Sequence, residues 1–149
     1  MPRLKAILLL AVLSLPLPAW AADRVRSGTL YKDPDCDCCE GYADYLRQNG
    51  YQIKIVPTRD LAQMRAAQHV PEDLAGCHMT LIDGYVVEGH VAVSMVNRML
   101  DEKPAIRGIS LIGMPPGTPG MPGDKIGPYT VWEIAAEHQE VPARVFGVQ

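Results

Sequence analysis

The chain has 149 residues, 48% of them hydrophobic, with 14 basic and 17 acidic side chains and a formal net charge of −3. Removing an apolar leader that carries Arg3 and Lys5 leaves 12 basic against 17 acidic groups, a charge of about −5. That balance makes nucleic acid and anionic membrane poor partners, and about 128 remaining residues suffice for one domain with a real core.

The leader is read from its order: Arg3 and Lys5, an apolar run over 6–17, then the small residues Ala19, Ala21 and Ala22. This is the pattern of a secretory signal peptide spanning residues 1–21, with cleavage expected after Ala21 or Ala22. The run is about a dozen residues, short of the roughly 20 that a transmembrane helix needs, and Pro16 and Pro18 break its end. No membrane insertion is expected after cleavage.

Beyond the leader, a short strand is predicted at 29–31 and a helix at 40–49, where Tyr42, Tyr45 and Leu46 fall at helical spacing before the stop signal Asn49-Gly50. Alternation predicts a strand at 51–56, and an amphipathic pattern predicts a helix at 60–68. Strands at 79–82 and 85–87 flank Asp83-Gly84, a tight hairpin turn. A third helix is expected at 91–100, with Val93, Val96, Met99 and Leu100 on or near one face and Pro104 marking its end. From Ile112 the composition turns to Pro and Gly ("IGMPPGTPGMPGDKIGP"), which suits a long surface loop. The tail alternates again at 129–134, an edge-strand candidate with 141–148 as its partner.

The order strand, helix, strand, helix, hairpin, helix is the core topology of the thioredoxin-like α/β fold, with a mixed four-stranded sheet flanked by helices and a Pro/Gly-rich C-terminal loop. The expected organisation is one domain over 22–149, its core at about 28–104 and its loop and tail at 105–149.

The chemistry concentrates in "KDPDCDCCEG", where three of the four cysteines occupy positions 36, 38 and 39. Cys36 and Cys39 form a C-x-x-C pair at a strand-to-helix junction, the placement used in thiol-disulfide exchange. Exchange needs a thiolate near neutral pH, and here Asp33, Asp35, Asp37 and Glu40 outnumber Lys32, which disfavours it. Asp37 and Glu40 also have a structural reading as first-turn residues that suit the helix dipole.

Four cysteines in an exported chain also admit two disulfides. Adjacent alpha carbons lie about 3.8 Å apart, below the usual limit of about 4.4 Å, so a Cys38–Cys39 bond would be strained. The relaxed choices are Cys36–Cys39 with Cys38–Cys77, or Cys36–Cys38 with Cys39–Cys77. A soft cation uses the crowding better: thiolates bridge Cu(I), and the metal charge removes the repulsion among clustered thiolates. Zinc is the rival metal, but its ligand pairs are usually spaced by two to four residues, unlike adjacent Cys38 and Cys39.

If the hairpin's first strand runs antiparallel to the first strand of the domain, Cys77 and His78 start beside the cysteine loop, and Glu88-Gly89-His90 returns to the same rim. The predicted metal ligands are therefore Cys36, Cys38, Cys39, Cys77, His78 and His90, with the thioethers Met114 and Met121 bracketing the Pro/Gly loop. His69 and His138 keep ordinary surface readings; Met95 and Met99 are assigned to the core, and Met79 is left open.

With these residues assembled, "YKDPDCDCCEGYADYLRQNGY", "PEDLAGCHMTLIDGYVVEGHV" and "GMPPGTPGM" resemble the bacterial domain-of-unknown-function family 411, the CopG-like periplasmic copper-resistance proteins, over roughly 29–128. The resemblance implies a thioredoxin-like fold, copper bound by Cys36, Cys38, Cys39 and Cys77, and a role in handling periplasmic copper that extends to copper redox change. The resulting expectation is an exported, periplasmic protein of copper resistance that sequesters more than one Cu(I) ion. Copper ions and other periplasmic copper-handling proteins would be its partners. A thiol-disulfide oxidoreductase using Cys36 and Cys39 is the alternative, and whether the chain turns over a substrate is left open.

Overall fold

The computed structural model describes residues 25–136 and 143–149, so the leader at 1–21 and His138 lie outside the described residues. Among the described residues, seven strands form one mixed sheet in the order β2-β1-β3-β4-β5-β6-β7. The strands are β1 Ser27–Lys32, β2 Gln52–Pro57, β3 His78–Ile82, β4 Tyr85–Glu88, β5 Ile106–Ser110, β6 Thr130–Ala135 and β7 Val145–Val148. Among the same described residues, three α-helices accompany them, α1 Asp37–Gln48, α2 Leu61–Ala67 and α3 Val93–Glu102, with a short 3-10 turn at Glu72–Leu74.

The expected parallel strand-helix-strand unit and the antiparallel hairpin are present. β1 pairs parallel with β2 and antiparallel with β3, and β3 and β4 form the hairpin around Asp83-Gly84. Both turn residues have positive φ, 47° and 86°, the conformation that a tight two-residue hairpin requires. The sheet nevertheless has seven strands, not the four expected. β5 lies inside the region assigned to loop and tail, pairing parallel with β4 and antiparallel with β6. Its sequence, IRGIS, shows no clean alternation because Gly108 sits where β4 passes closest: a Cβ there would lie 2.0 Å from the Val86 carbonyl oxygen. The strand at 129–134 is β6, an interior strand, and β7 forms the edge. Val131, Ile134 and Phe146 are buried, so the tail contributes to the core.

One sheet face carries Leu30, Ile82, Val87, Ile109 and Val131 against α1 and α3; the other carries Met79, Val86 and Ile134 with Leu61, Val70 and Leu74 around α2. Met79 and Met99 are fully buried, and Met95 packs half-buried against the first cluster. Alternation along β3 explains the split, since His78, Thr80 and Ile82 share a face and Met79 points to the other. Among the described residues, no helix is long and apolar enough to cross a membrane.

α1 starts three residues earlier than its apolar spacing predicts. Cys36 is its N-cap, with extended backbone (φ −94°, ψ 95°), and its N–H donates to the Asp33 carbonyl at 3.0 Å. Cys38 and Cys39 therefore belong to the first helical turn, not to a loop before it. Buried Cys39, Tyr42, Ala43 and Leu46 form the inner stripe of α1, while Asp37 and Glu40 lie in its first turn, where the helix dipole favours acidic groups.

Candidate metal centre

The site lies on the rim where β1 and β4 end, β3 begins and α1 starts. Register accounts for the convergence: Lys32 at the end of β1 stands opposite His78 at the start of β3, and Glu88 at the end of β4 stands opposite Met79. The Gly89 N–H donates to the His78 carbonyl at 3.0 Å, which carries His90 to the same rim. Two glycines permit the close approach. A Cβ at Gly76 would lie 2.4 Å from the Gly89 nitrogen, and one at Gly89 (φ 70°) would lie 2.4 Å from the Leu111 carbonyl oxygen.

Cys36 and Cys39 are joined by a disulfide, and Cys38 and Cys77 are free. Each free thiol lies against one disulfide sulfur: Cys38 Sγ is 3.4 Å from Cys36 Sγ, and Cys77 Sγ is 3.7 Å from Cys39 Sγ. The structure thus holds the Cys36–Cys39 bond common to one of the two pairings open from spacing, without its companion Cys38–Cys77. Two of the four sulfurs are committed to each other until they are reduced.

The potential ligand atoms of Cys36, Cys38, Cys39 and Cys77 lie within 4.8 Å of one another, and so do those of Cys77, His78 and His90. Cys77 joins the two groups: its sulfur is 3.1 Å from His78 Nδ1 and 3.0 Å from His90 Nε2. The hydrogen bonds assign the tautomers. His90 Nδ1 lies 2.7 Å from the Pro119 carbonyl, which can only accept, so Nδ1 carries the proton and Nε2 turns a lone pair toward Cys77. The single S–H proton of Cys77 serves His90, and His78 then donates its Nδ1 proton to the sulfur. His78 Nε2 is left as a buried lone pair with no partner.

The electrostatics keep this arrangement neutral. Burial, followed by the nearby Cys38 sulfur, pushes the Cys77 thiol up to about 12, and burial, followed by His90 and Arg65, holds the His78 imidazole down at about 3. Burial also lowers His90, opposed by its bond to Pro119. Neutral imidazoles are the form that ligates metal, whereas the thiols must surrender protons to do so.

The Pro/Gly loop at 112–128 crosses the same rim. Gly113 bridges Gly76 in parallel register, which sets Met114 beside Cys77 along the chain direction; Met114 is 55% exposed. At the loop's other end Gly120 packs directly on the α1 backbone, where its Cβ would lie 2.4 Å from the Tyr42 nitrogen. Met121 follows it, half-buried. The six predicted cysteine and histidine ligands are therefore brought together, while the two methionines flank them on the loop. His69, with φ 58°, lies past the end of α2 and outside both ligand groups.

Spacing alone does not reveal several other parts of the site. Tyr42, fully buried, donates its hydroxyl to the Val91 carbonyl at 2.8 Å and packs its ring 4.7 Å from the His78 ring and 5.6 Å from the His90 ring, centroid to centroid. Lys32, also buried, reaches Glu40 and the Pro34 carbonyl, each at 3.2 Å. Fully buried Glu88 is met by both arms of Arg65 at 3.0 Å. The one sequence signal for this pair is a carboxylate in the apolar hairpin strand "YVVE".

The fold and rim define an α/β protein bearing a buried thiol-imidazole cluster with the donor set of a soft-metal site. Residues 74–121 match the family model described as "Protein of unknown function, DUF411". Two solved structures, named copper resistance protein copG (Form 2 and Form 1), are similar to this chain with TM-scores of 0.74 and 29% identity. Each alignment covers 83% of this chain, and 98% and 96% of the respective neighbours. No curated protein matches the chain. Over residues 74–121 the chain is thus similar to the DUF411 family, and over most of its length it is similar in structure to the copper resistance protein copG.

Proposed function

We propose that this chain is an exported, periplasmic copper-binding protein of copper resistance, which sequesters more than one Cu(I) ion through Cys36, Cys38, Cys39 and Cys77, with His78 and His90 completing the site. The observation that carries the reading is Cys77, whose sulfur belongs at once to a group of four sulfurs and to a group with two neutral imidazoles. Soft sulfur and imidazole donors suit Cu(I), and the buried lone pair of His78 Nε2 is an unused donor in the same cluster. Two adjacent cysteines in one helical turn fit shared metal ions better than a single zinc tetrahedron. Met114 and Met121 stand as further thioether donors from the loop.

On this reading the chain's own residues have separable tasks. Cys36 and Cys39 must be reduced before all four sulfurs can bind, and Cys77 must lose its proton. The carbonyl of Pro119 holds the His90 tautomer that aims Nε2 inward, and Tyr42 screens both rings from water. Copper, when bound, would supply one-electron chemistry, and the proposed role extends to its interconversion: two Cu(II) would become two Cu(I) as the Cys36 and Cys39 thiols give up two electrons and two protons to form their disulfide.

An anaerobic titration of the reduced protein with Cu(I) against a competing chelator tests the proposal. More than one tightly held copper per chain is expected, and a Cys36→Ser/Cys38→Ser variant should lose retention. No retained copper would transfer support to the second reading, a thiol-disulfide oxidoreductase using Cys36 and Cys39. That reading is favoured by the disulfide with a free thiol against each of its sulfurs. It expects a mixed disulfide with a substrate protein to accumulate when Cys39 is replaced.

A further inference from the structure

Arg65 comes from α2, an element that supplies no candidate ligand, yet its guanidinium reaches the site's foundations. Its Nε and Nη2 donate to Glu88 Oε1 and Oε2 at 3.0 Å each, and Nη2 also donates to the Gly76 carbonyl at 2.8 Å. Glu88 Oε2 accepts the Gly76 N–H at 2.9 Å. Both peptide groups of Gly76 are therefore held by one ion pair. Gly76 immediately precedes Cys77, and Glu88 stands two residues before His90.

A buried ion pair is weak evidence for a stabilising role, because apolar residues of similar volume often do as well there. This pair does something that apolar residues cannot. It joins the Cys77 segment to the His90 strand by four directed hydrogen bonds, and the glycine backbones beneath it leave no room for the two segments to slide. We propose that Arg65 and Glu88 are positioning residues for the metal centre: their fork on Gly76 sets where the Cys77 sulfur lies between the other cysteines and the two imidazoles. The inference rests on the copper reading for its functional meaning, but the positional claim is testable without metal.

The test replaces the pair by apolar residues, Arg65→Met with Glu88→Leu, which removes the fork without leaving a buried charge. In the metal-free protein, alkylation of Cys77 by iodoacetamide is followed by peptide mass spectrometry, with Cys38 in the same molecule as the internal reference. The Cys77-to-Cys38 rate ratio should rise about tenfold, and the Cu(I) dissociation constant should rise about 10- to 100-fold, the usual cost of losing an outer partner of a metal ligand. Arg65→Lys keeps the charge but not the planar fork, and should recover part of both losses. If the double variant does not fold, Glu88→Gln, which keeps the shape, carries the same measurement with a rise of about threefold expected.

An unchanged alkylation ratio overturns the positioning role, whatever happens to copper. A raised ratio in a protein whose wild type retains no Cu(I) leaves the role standing and removes the copper reading instead.

Discussion

Gly120→Ala isolates what the loop does for the candidate metal centre. Gly120 has φ 78°, and its added Cβ would lie 2.4 Å from the Tyr42 nitrogen, 2.7 Å from the Gly41 carbonyl carbon and 2.8 Å from the Tyr42 alpha carbon. All three atoms are helix backbone, so α1 cannot yield and the loop must lift. Holding alanine in the left-handed region costs about 1–2 kcal/mol. Lifting also forfeits the bond from His90 to the Pro119 carbonyl, about 0.5–1.5 kcal/mol, while the stiffer unfolded chain returns about 0.4–1 kcal/mol. The net loss is about 2 kcal/mol in the free energy of unfolding. Urea unfolding of the metal-free protein should show that loss, and trypsin under native conditions should cut after Lys125, in the same loop, correspondingly faster. A variant within 0.5 kcal/mol of wild type, with unchanged cleavage at Lys125, would refute the claim that this contact straps the loop to the helix.

Three further outcomes follow from the same geometry. His78 sits at about 3 in the folded protein against 6.5 in the unfolded chain. Between those values the unfolded chain holds the extra proton, so this contribution to stability is fully present above about pH 6.5. It is lost as the pH falls toward 3, by about 1.4 kcal/mol per pH unit. Denaturation curves of metal-free His78→Gln should lack that component of the slope. Oxidised protein, with Cys36 and Cys39 bonded, should retain less Cu(I) than the same protein reduced, and equal retention would show that those two sulfurs are not ligands. Tyr42→Phe leaves the Val91 carbonyl without its partner and should cost about 1–2 kcal/mol in urea unfolding; a neutral result would mean that water replaces the hydroxyl.

The core of the fold is legible in the sequence because its periodicities are clean. The hairpin at Asp83-Gly84, the stripes of α1 and α3 and the alternation of β2 each bury a face that local spacing declares. β5 is not legible: its middle residue is a glycine whose reason for being there is the Val86 carbonyl of a strand some twenty residues away. The start of α1 was displaced for a related reason. Cys38 and Cys39 read as ligands of a loop, yet they form a helical turn, because Cys39 is needed on the buried stripe with Tyr42, Ala43 and Leu46.

By itself, the sequence determined which residues of the rim are chemically soft: three crowded cysteines, Cys77 beside His78, and His90 after a glycine. That much follows from residue identity and from the antiparallel order of a hairpin, both local properties. The tertiary structure alone decided that Cys77 is the shared member of two ligand groups, that Pro119 orients His90, and that Arg65 and Glu88 bear on Gly76. It also decided that Cys36 and Cys39 are bonded while Cys38 and Cys77 stand against their sulfurs. These are distances between segments remote in the chain, and they depend on strand register and on glycine backbones packed in van der Waals contact, which no local pattern encodes.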